Sequence, residues 1–324
     1  MKKPVLVCVV LVCACHLFAN DNDSSAQQLL VTAMQQANVF IQGAGPFQLD
    51  IDFVAQVQSP LQGHLTLRWE SDERWWRKIT MADFAEIDVR NGEMNYVARN
   101  AYFTPQRVKN MIGLIQLARN NGSLLAKKQK QQVENGLDPD CLHVEDEPSR
   151  KDFHKTLHEI CIDPASREIL QNTWKTTPNY QIMERYSDYF DFQGHRYPRK
   201  LEYYANGSKA ITATVTGLSP IKFDQAWLMP PKGAFERRVC NDMTSPVSIE
   251  TPQPMYPKGA HDTMIAITVL ADGSVDNIHI LGATTQSIEK SVLATLKTWR
   301  YEPARCGKEP VISDLEVVVT FPLH

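Results

Sequence analysis

Hydrophobic and polar positions change their rhythm along the chain. Leu30, Met34, Ala37 and Ile41 recur at helical spacing with glutamines on the other faces. This predicts an amphipathic helix over 26–42, capped by Ser24-Ser25 and stopped by Gly43 and Gly45-Pro46. From Phe47 the period falls to two, with Phe47, Leu49, Ile51 and Phe53 on one side, until Ser59-Pro60 ends the run. Strand patterns follow over 63–70, 75–81, 84–90, 93–99 and 101–104, with Asn91-Gly92 as a hairpin turn. They resume over 142–144, 156–162, 168–173, 180–192, 196–205, 208–218 and 223–228, with Gly194-His195 and Asn206-Gly207 as turns. Between the two groups, 108–117 and 124–133 read as helical, and Lys127, Lys128 and Lys130 as a solvated helix face. Serial hairpins predict one large, curved, mostly antiparallel sheet over 47–229, closed by Pro230-Pro231-Lys232-Gly233.

The segment 234–252 reads as a linker, because Ser245-Pro246 and the following Thr251-Pro252-Gln253-Pro254 resist regular structure. Beyond it the pattern sharpens. A strand over 264–270, the turn Ala271-Asp272-Gly273-Ser274 and a strand over 275–281 make a hairpin. Ile288, Val292, Leu296 and Trp299 form one stripe of a helix over 287–298, and Leu315, Val317, Val319 and Phe321 alternate on a last strand. The expected fold class is therefore α+β: a large antiparallel half-barrel with helices over 20–233, then a small β-β-α-β domain over 253–324.

Lys2 and Lys3 precede an apolar run over 4–18 that ends in Leu17-Phe18-Ala19, which reads as a signal peptide over 1–19 cut after Ala19. So short a run rises only about 22 Å as a helix, against a hydrocarbon core of roughly 30 Å, so a stable span is disfavoured. The alternative is lipidation of Cys15. Export changes what the seven cysteines mean. Cys8, Cys13 and Cys15 fall in the signal and leave an even set, Cys141, Cys161, Cys240 and Cys306, in an oxidising compartment. Pairing Cys141 with Cys161 and Cys240 with Cys306 keeps each bridge inside one expected domain. Cys141, His143, His154, His158 and Cys161 also have spacings that suit zinc. The disulfide reading is preferred, because exported thiols are oxidised before they find metal, so no metal is expected.

Composition narrows the function classes. With 43% hydrophobic and 22% charged residues among 324, the chain is neither disordered nor a polytopic membrane protein. A net charge of −3, from 34 Lys+Arg against 37 Asp+Glu, gives no footprint for nucleic acid. No Gly-x-Ser-x-Gly, phosphate loop or dinucleotide fingerprint occurs. His154-Lys155-Thr156-Leu157-His158 lacks the glutamate of a zinc protease helix, and acidic pairs such as Asp50 with Asp52 read as solvated faces. No catalytic residue and no cofactor are expected; the protein reads as a non-enzyme.

The C-terminal unit resembles the TonB C-terminal domain family. The residues that carry the likeness are Pro254-Met255-Tyr256-Pro257 with Ala260, Ile267-Thr268-Val269 and Asp272-Gly273-Ser274-Val275. They continue with Val292-Leu293, Thr298-Trp299-Arg300-Tyr301-Glu302-Pro303-Ala304, Gly307, Pro310-Val311 and the closing Val317-Val318-Val319-Thr320-Phe321-Pro322-Leu323. Tyr256-Pro257 locks an extended entry, Asp272-Gly273 supplies the hairpin turn, and Trp299 anchors the helix end before Pro303 stops it. The resemblance implies a periplasmic energy transducer that engages outer-membrane TonB-dependent receptors, or another envelope protein, by β-strand addition. The strand carrying Leu315, Val317, Val319 and Phe321, or a segment beside it, would be the acceptor. That family's motor-engaging helix has a Ser and a His one turn apart; here Val12 stands four residues before His16, and a folded domain replaces the Pro-rich spacer.

The leading helix, consecutive strands, helical insertion and closing Leu228-Met229-Pro230-Pro231-Lys232-Gly233 are similar to the LolA/LppX-like half-barrels of periplasmic lipoprotein carriers. That resemblance implies a cavity lined by Phe53, Leu67, Trp69 and Trp76; the same alternation also describes an ordinary sheet core. The alternative function is thus a periplasmic lipid or lipoprotein carrier whose C-terminal domain is a docking module. The expected location is the periplasm, with membrane anchoring if the N-terminal segment is retained or lipidated.

Overall fold

The computed structural model of the chain describes residues 21–41, 43–117, 124–128, 139–146, 157–177, 180–240, 243–254, 263–280 and 286–319. The signal segment 1–19, His154, Tyr256, Pro257 and Phe321 lie outside them. Helix α1 (Asp21–Ala37) leads into β1 (Phe47–Gln56), β2 (Pro60–Ser71), β3 (Arg74–Met81), β4 (Phe84–Asn91) and β5 (Met94–Arg99). Helix α2 (Gln106–Leu114) separates these from β6 (Leu124–Lys128), β7 (Asp140–Asp146), β8 (Leu157–Ile162), β9 (Ile169–Thr177), β10 (Tyr180–Phe192), β11 (His195–Ala205) and β12 (Ser208–Pro220). After a 3-10 turn at Gln225–Leu228 come β13 (Phe235–Arg238), β14 (Met243–Thr244) and β15 (Val247–Glu250). The C-terminal unit holds β16 (Thr263–Val269), β17 (Val275–Ile280), α3 (Gln286–Leu296), β18 (Arg300–Glu302), β19 (Ala304–Cys306), β20 (Glu309–Val311) and β21 (Ser313–Val319).

Among the described residues, strands β1 to β13 make one open antiparallel sheet whose seam is β1, paired with β2 on one side and β12 on the other. Its rims are β13 and β6, and they do not pair with each other. The period-two pattern of β1 is the reason for a one-sided core: Phe47, Leu49, Ile51, Phe53 and Ala55 are buried on the face that carries the helices. Ala26, Leu29, Leu30, Ala33 and Ala37 of α1, with Val108, Met111 and Leu114 of α2, cover that face. Helix α1 also satisfies a sheet edge. The Gln27 side chain donates to the Leu124 carbonyl (2.9 Å) and accepts from the Ala126 N–H (2.8 Å), standing in for a strand beyond β6.

Several expected elements take another form. Residues 124–128, expected as helix, are strand β6, because Leu124 and Ala126 are buried while Leu125 and Lys127 are exposed, a period of two. The stretch 101–104, expected as strand, is a bent loop, and 223–228 ends in the 3-10 turn, capped by Asp224 accepting from the Ala226 N–H. The segment 234–252, expected to resist regular structure, supplies β13 to the large sheet, β14 to β19 and β15 to β18. No helix of the described residues is long and apolar enough to cross a membrane.

One buried acid stands out in the large sheet. Glu184 of β10 accepts from the Tyr186 hydroxyl (2.6 Å) and from the Asn172 amide (3.5 Å) and is otherwise walled from water. Burial outweighs those bonds and pushes its carboxyl from 4.5 up to about 7. The folded state then holds a proton that the unfolded chain releases, so stability is greatest below the unfolded value and falls as pH rises through about 7. Glu184→Gln should raise stability above neutral pH by on the order of 3 kcal/mol and flatten the decline between pH 5 and 8, as read by urea unfolding across that range.

Candidate functional site

The C-terminal sheet has the order β17-β16-β21, all antiparallel. Alternation along each strand divides its side chains between two faces. Ile265, Ile267 and Val269 of β16 pack with Leu315, Val317 and Val319 of β21 against Val292 and Leu296 of α3. The side chains of the expected acceptor strand are therefore committed to the core, and what it offers a partner is main chain. Among the described residues β21 pairs with β16 alone, so its other side is a sheet edge. On that edge Val318 is 57% exposed.

The opposite face carries Ala266 and Thr268 of β16, Asp314 and Glu316 of β21 and His279 of β17, aligned by the register Ala266↔Glu316, Thr268↔Asp314 and Ala266↔His279. This face docks on the large sheet near its β5–β13 rim. The Arg237 guanidinium donates to Asp314 at 2.7 Å, Arg99 stands 4.0 Å away, and the Thr268 hydroxyl donates to the other carboxylate oxygen at 2.9 Å. Lys109 of α2 pairs with Glu316. His279 stacks on Tyr102 at 3.9 Å and meets Phe103 edge-on at 5.5 Å; burial lowers its pKa from the ordinary imidazole value. Arg99 also donates to the carbonyls of Ala101 and Tyr102, so one side chain shapes the loop and faces the docked strand.

Behind this contact the large sheet is polar. Arg77 pairs with Asp88 at 2.5 Å, Arg99 lies 3.9 Å from Glu86, and burial pushes the Asp88 carboxyl up against the pull of Arg77. A cleft of about 190 Å³ remains between the two units, lined by Phe103, Lys109, Ala266, Asp314, Leu315 and Glu316.

Of the expected structural motif residues, Asp272, Gly273, Trp299 and Pro303 are among the described ones and lie in the C-terminal unit. Asp272 accepts from both the backbone N–H and the hydroxyl of Ser274 (2.9 and 2.6 Å), which holds its carboxyl below the usual carboxylate range. Gly273 has φ +81°, and a Cβ there would collide with the carbonyl oxygen of Tyr301, whose own N–H donates to the Gly273 carbonyl (2.9 Å). Trp299 is buried at the end of α3 and donates its ring N–H to the Pro252 carbonyl (2.8 Å), which pins the incoming chain; Pro303 follows, half-buried. Cys141 and Cys161 are joined across β7 and β8, and Cys240 and Cys306 are joined as well. The second bridge runs from the end of β13 to β19 and so ties the large-sheet rim to the C-terminal unit. Of the residues once compatible with zinc, His143 faces Glu145 (3.6 Å) and His158 bonds Asn172 (2.7 Å).

The four residues expected to line a cavity are divided. Phe53, Leu67 and Trp69 belong to the helix-covered core, with Trp69 against Phe40 and Phe47 and the Phe53 ring lying over Gly63, where any Cβ would collide with it. Trp76 points to the other face, where Arg68 lies over it (4.6 Å) and over Trp227 (4.2 Å). Register explains the split: Trp76 stands opposite Arg68, and Trp75 opposite Trp69. Sequence reasoning missed Asp314, Glu316, Lys109, Phe103 and Arg237; the only signal was that polar residues alternate with Leu315 and Val317.

Two substitutions test this geometry. Gly273→Ala should destabilise the C-terminal unit by on the order of 2 kcal/mol or more, seen as earlier loss of Trp299 fluorescence in urea. Asp314→Ala leaves Arg237 without its carboxylate and should weaken docking by about 2 kcal/mol. Amide exchange in 101–104 should then accelerate while the β1–β12 core keeps its protection.

Residues 252–323 match the family model described as Gram-negative bacterial TonB protein C-terminal. None of the curated proteins compared with the chain matches it. Among solved structures, a LolA superfamily protein from Nitrosomonas europaea is similar at 9% identity, over 63% of this chain and 97% of that one, with a TM-score of 0.43. An outer membrane lipoprotein-sorting protein domain from Vibrio parahaemolyticus gives 11% identity, 63% and 96% coverage and a TM-score of 0.42. The structure of MucB gives 10% identity, 84% and 97% coverage and a TM-score of 0.32. At such identities and scores these neighbours add nothing to what the strand order itself shows. The C-terminal unit, with its one-sided strand β21, is the part of the chain that matches a TonB C-terminal family model.

Proposed function

We propose that the chain is an exported, non-enzymatic protein of the Gram-negative envelope that works in the periplasm and engages outer-membrane transport receptors. Its act is strand addition: an extended receptor segment pairs with the outer side of β21, and the large sheet serves as the platform that holds this acceptor. The observation that carries the reading is that, among the described residues, β21 is the outermost strand of its sheet, bonded on one side, within the unit that matches the TonB C-terminal model. Main-chain bonds suit a partner that must be held and released. Each nets only about 0.5 to 1.5 kcal/mol against water, so a short ladder is firm yet reversible. The exposed Val318 adds apolar contact beside the ladder.

Adjacent residues of an edge strand direct their N–H groups to opposite sides, so within the pair Glu316 and Val317 one amide faces β16 and one faces outward. Proline at the outward position should abolish capture of a receptor segment on immobilised protein while the circular dichroism spectrum and urea midpoint stay near wild type. Capture that survives proline at both positions, in folded protein, would contradict the reading.

A further inference from the structure

We infer that the strand-addition site is composite: the large-sheet domain adds Phe103 and Lys109 as walls to a side-chain cleft based on Ala266 of β16, and this cleft selects a large apolar or aromatic residue on the incoming strand. This rests on β21 being the acceptor. An added strand continues the pleat, so every second side chain falls on the face that bears Asp314 and Glu316. In this protein α2 and the 101–104 loop stand over part of that face, and the cleft of about 190 Å³ lies among Phe103, Lys109, Ala266 and the β21 residues Asp314, Leu315 and Glu316. A residue opposite Glu316 on the added strand would begin roughly 5 Å away, at the mouth of this space.

The chemistry of the lining chooses the occupant. Ala266 is the smallest side chain of β16 and is itself buried, so it sits at the base of the cleft, and the apolar surfaces an entering side chain would meet are the Phe103 ring and the Lys109 stem. The charges around the cleft are already matched, Lys109 with Glu316 and Asp314 with Arg237. A charged side chain would lose hydration there and find no free counter-charge, whereas an apolar one exchanges water for the Phe103 ring and the Lys109 stem. The contact also uses residues from both units, so the selection belongs to the docked full chain.

The test uses oxidised full-length protein and short synthetic peptides of alternating Thr and Val, identical except for one guest position scanned along the strand. Leu or Phe as guest should bind about tenfold tighter than Ala at one register, and Glu should bind no better than Ala. Phe103→Ala should erase that preference, and Phe103→Leu should retain it. Absence of any guest preference, or a preference that survives Phe103→Ala, overturns the cleft. The two levels separate cleanly. Loss of all binding on outward proline in β21 with an inert Phe103→Ala sinks only the cleft, whereas binding that ignores the proline sinks the acceptor strand itself.

Discussion

The carboxylate of Asp314 is the point on which the arrangement turns. It sits on β21, takes hydrogen bonds from Arg237 and Thr268 and faces Arg99, and thereby holds the C-terminal sheet on the large one. Among the described residues the same strand pairs with β16 alone. Both properties come from strand geometry: successive side chains of β21 go to opposite faces, and the hydrogen-bonding groups lie in the plane between. Leu315, Val317 and Val319 anchor the strand to α3, Asp314 anchors it to the large sheet and Glu316 to α2, and the outer edge is what the proposed partner strand would use.

The polar end of the large sheet fits this division of labour. Most of its helix-bearing face is sealed by α1 and α2, but near the β5–β13 rim it carries Arg77, Glu86, Asp88 and Arg99, groups that are costly to bury without partners. The docked face of the C-terminal sheet brings Asp314 to that place. The Cys240–Cys306 bridge and the Arg238 pairs to Glu309 (2.8 Å) and Glu93 (3.4 Å) tie the connection along its flank. A docking contact of this kind favours a fixed relation between the units, as the proposed strand addition requires of its platform.

Much of this was legible in the chain. The period of two from Phe47, the hairpin turns and the stripe Val292, Leu296 and Trp299 became the sheet seam, the meander and α3 as the pattern implied. Misreadings share a cause: local preference is overridden by partners far away in sequence. Residues 124–128 are good helix formers, yet Leu124 and Ala126 pack as a strand because α1 supplies the missing edge through Gln27. The Pro-bounded steps at 243–250 pair with β18 and β19, strands whose partner residues lie fifty or more positions further along the chain. Trp75 and Trp76 are adjacent, so a pleat must send them apart, and only register decides which is inside. Nothing in the sequence singles out Asp314 and Glu316, because Arg99, Lys109 and Arg237 are remote in the chain.

The most direct measurement is amide hydrogen exchange resolved residue by residue across 313–319, in the free oxidised protein and with a receptor segment bound. The account predicts an alternating pattern in the free protein: amides facing β16 exchange slowly, those facing outward exchange fast, and the fast set becomes protected on binding. Uniform protection of the strand before any partner is added, or an unchanged alternation after saturation, would contradict it.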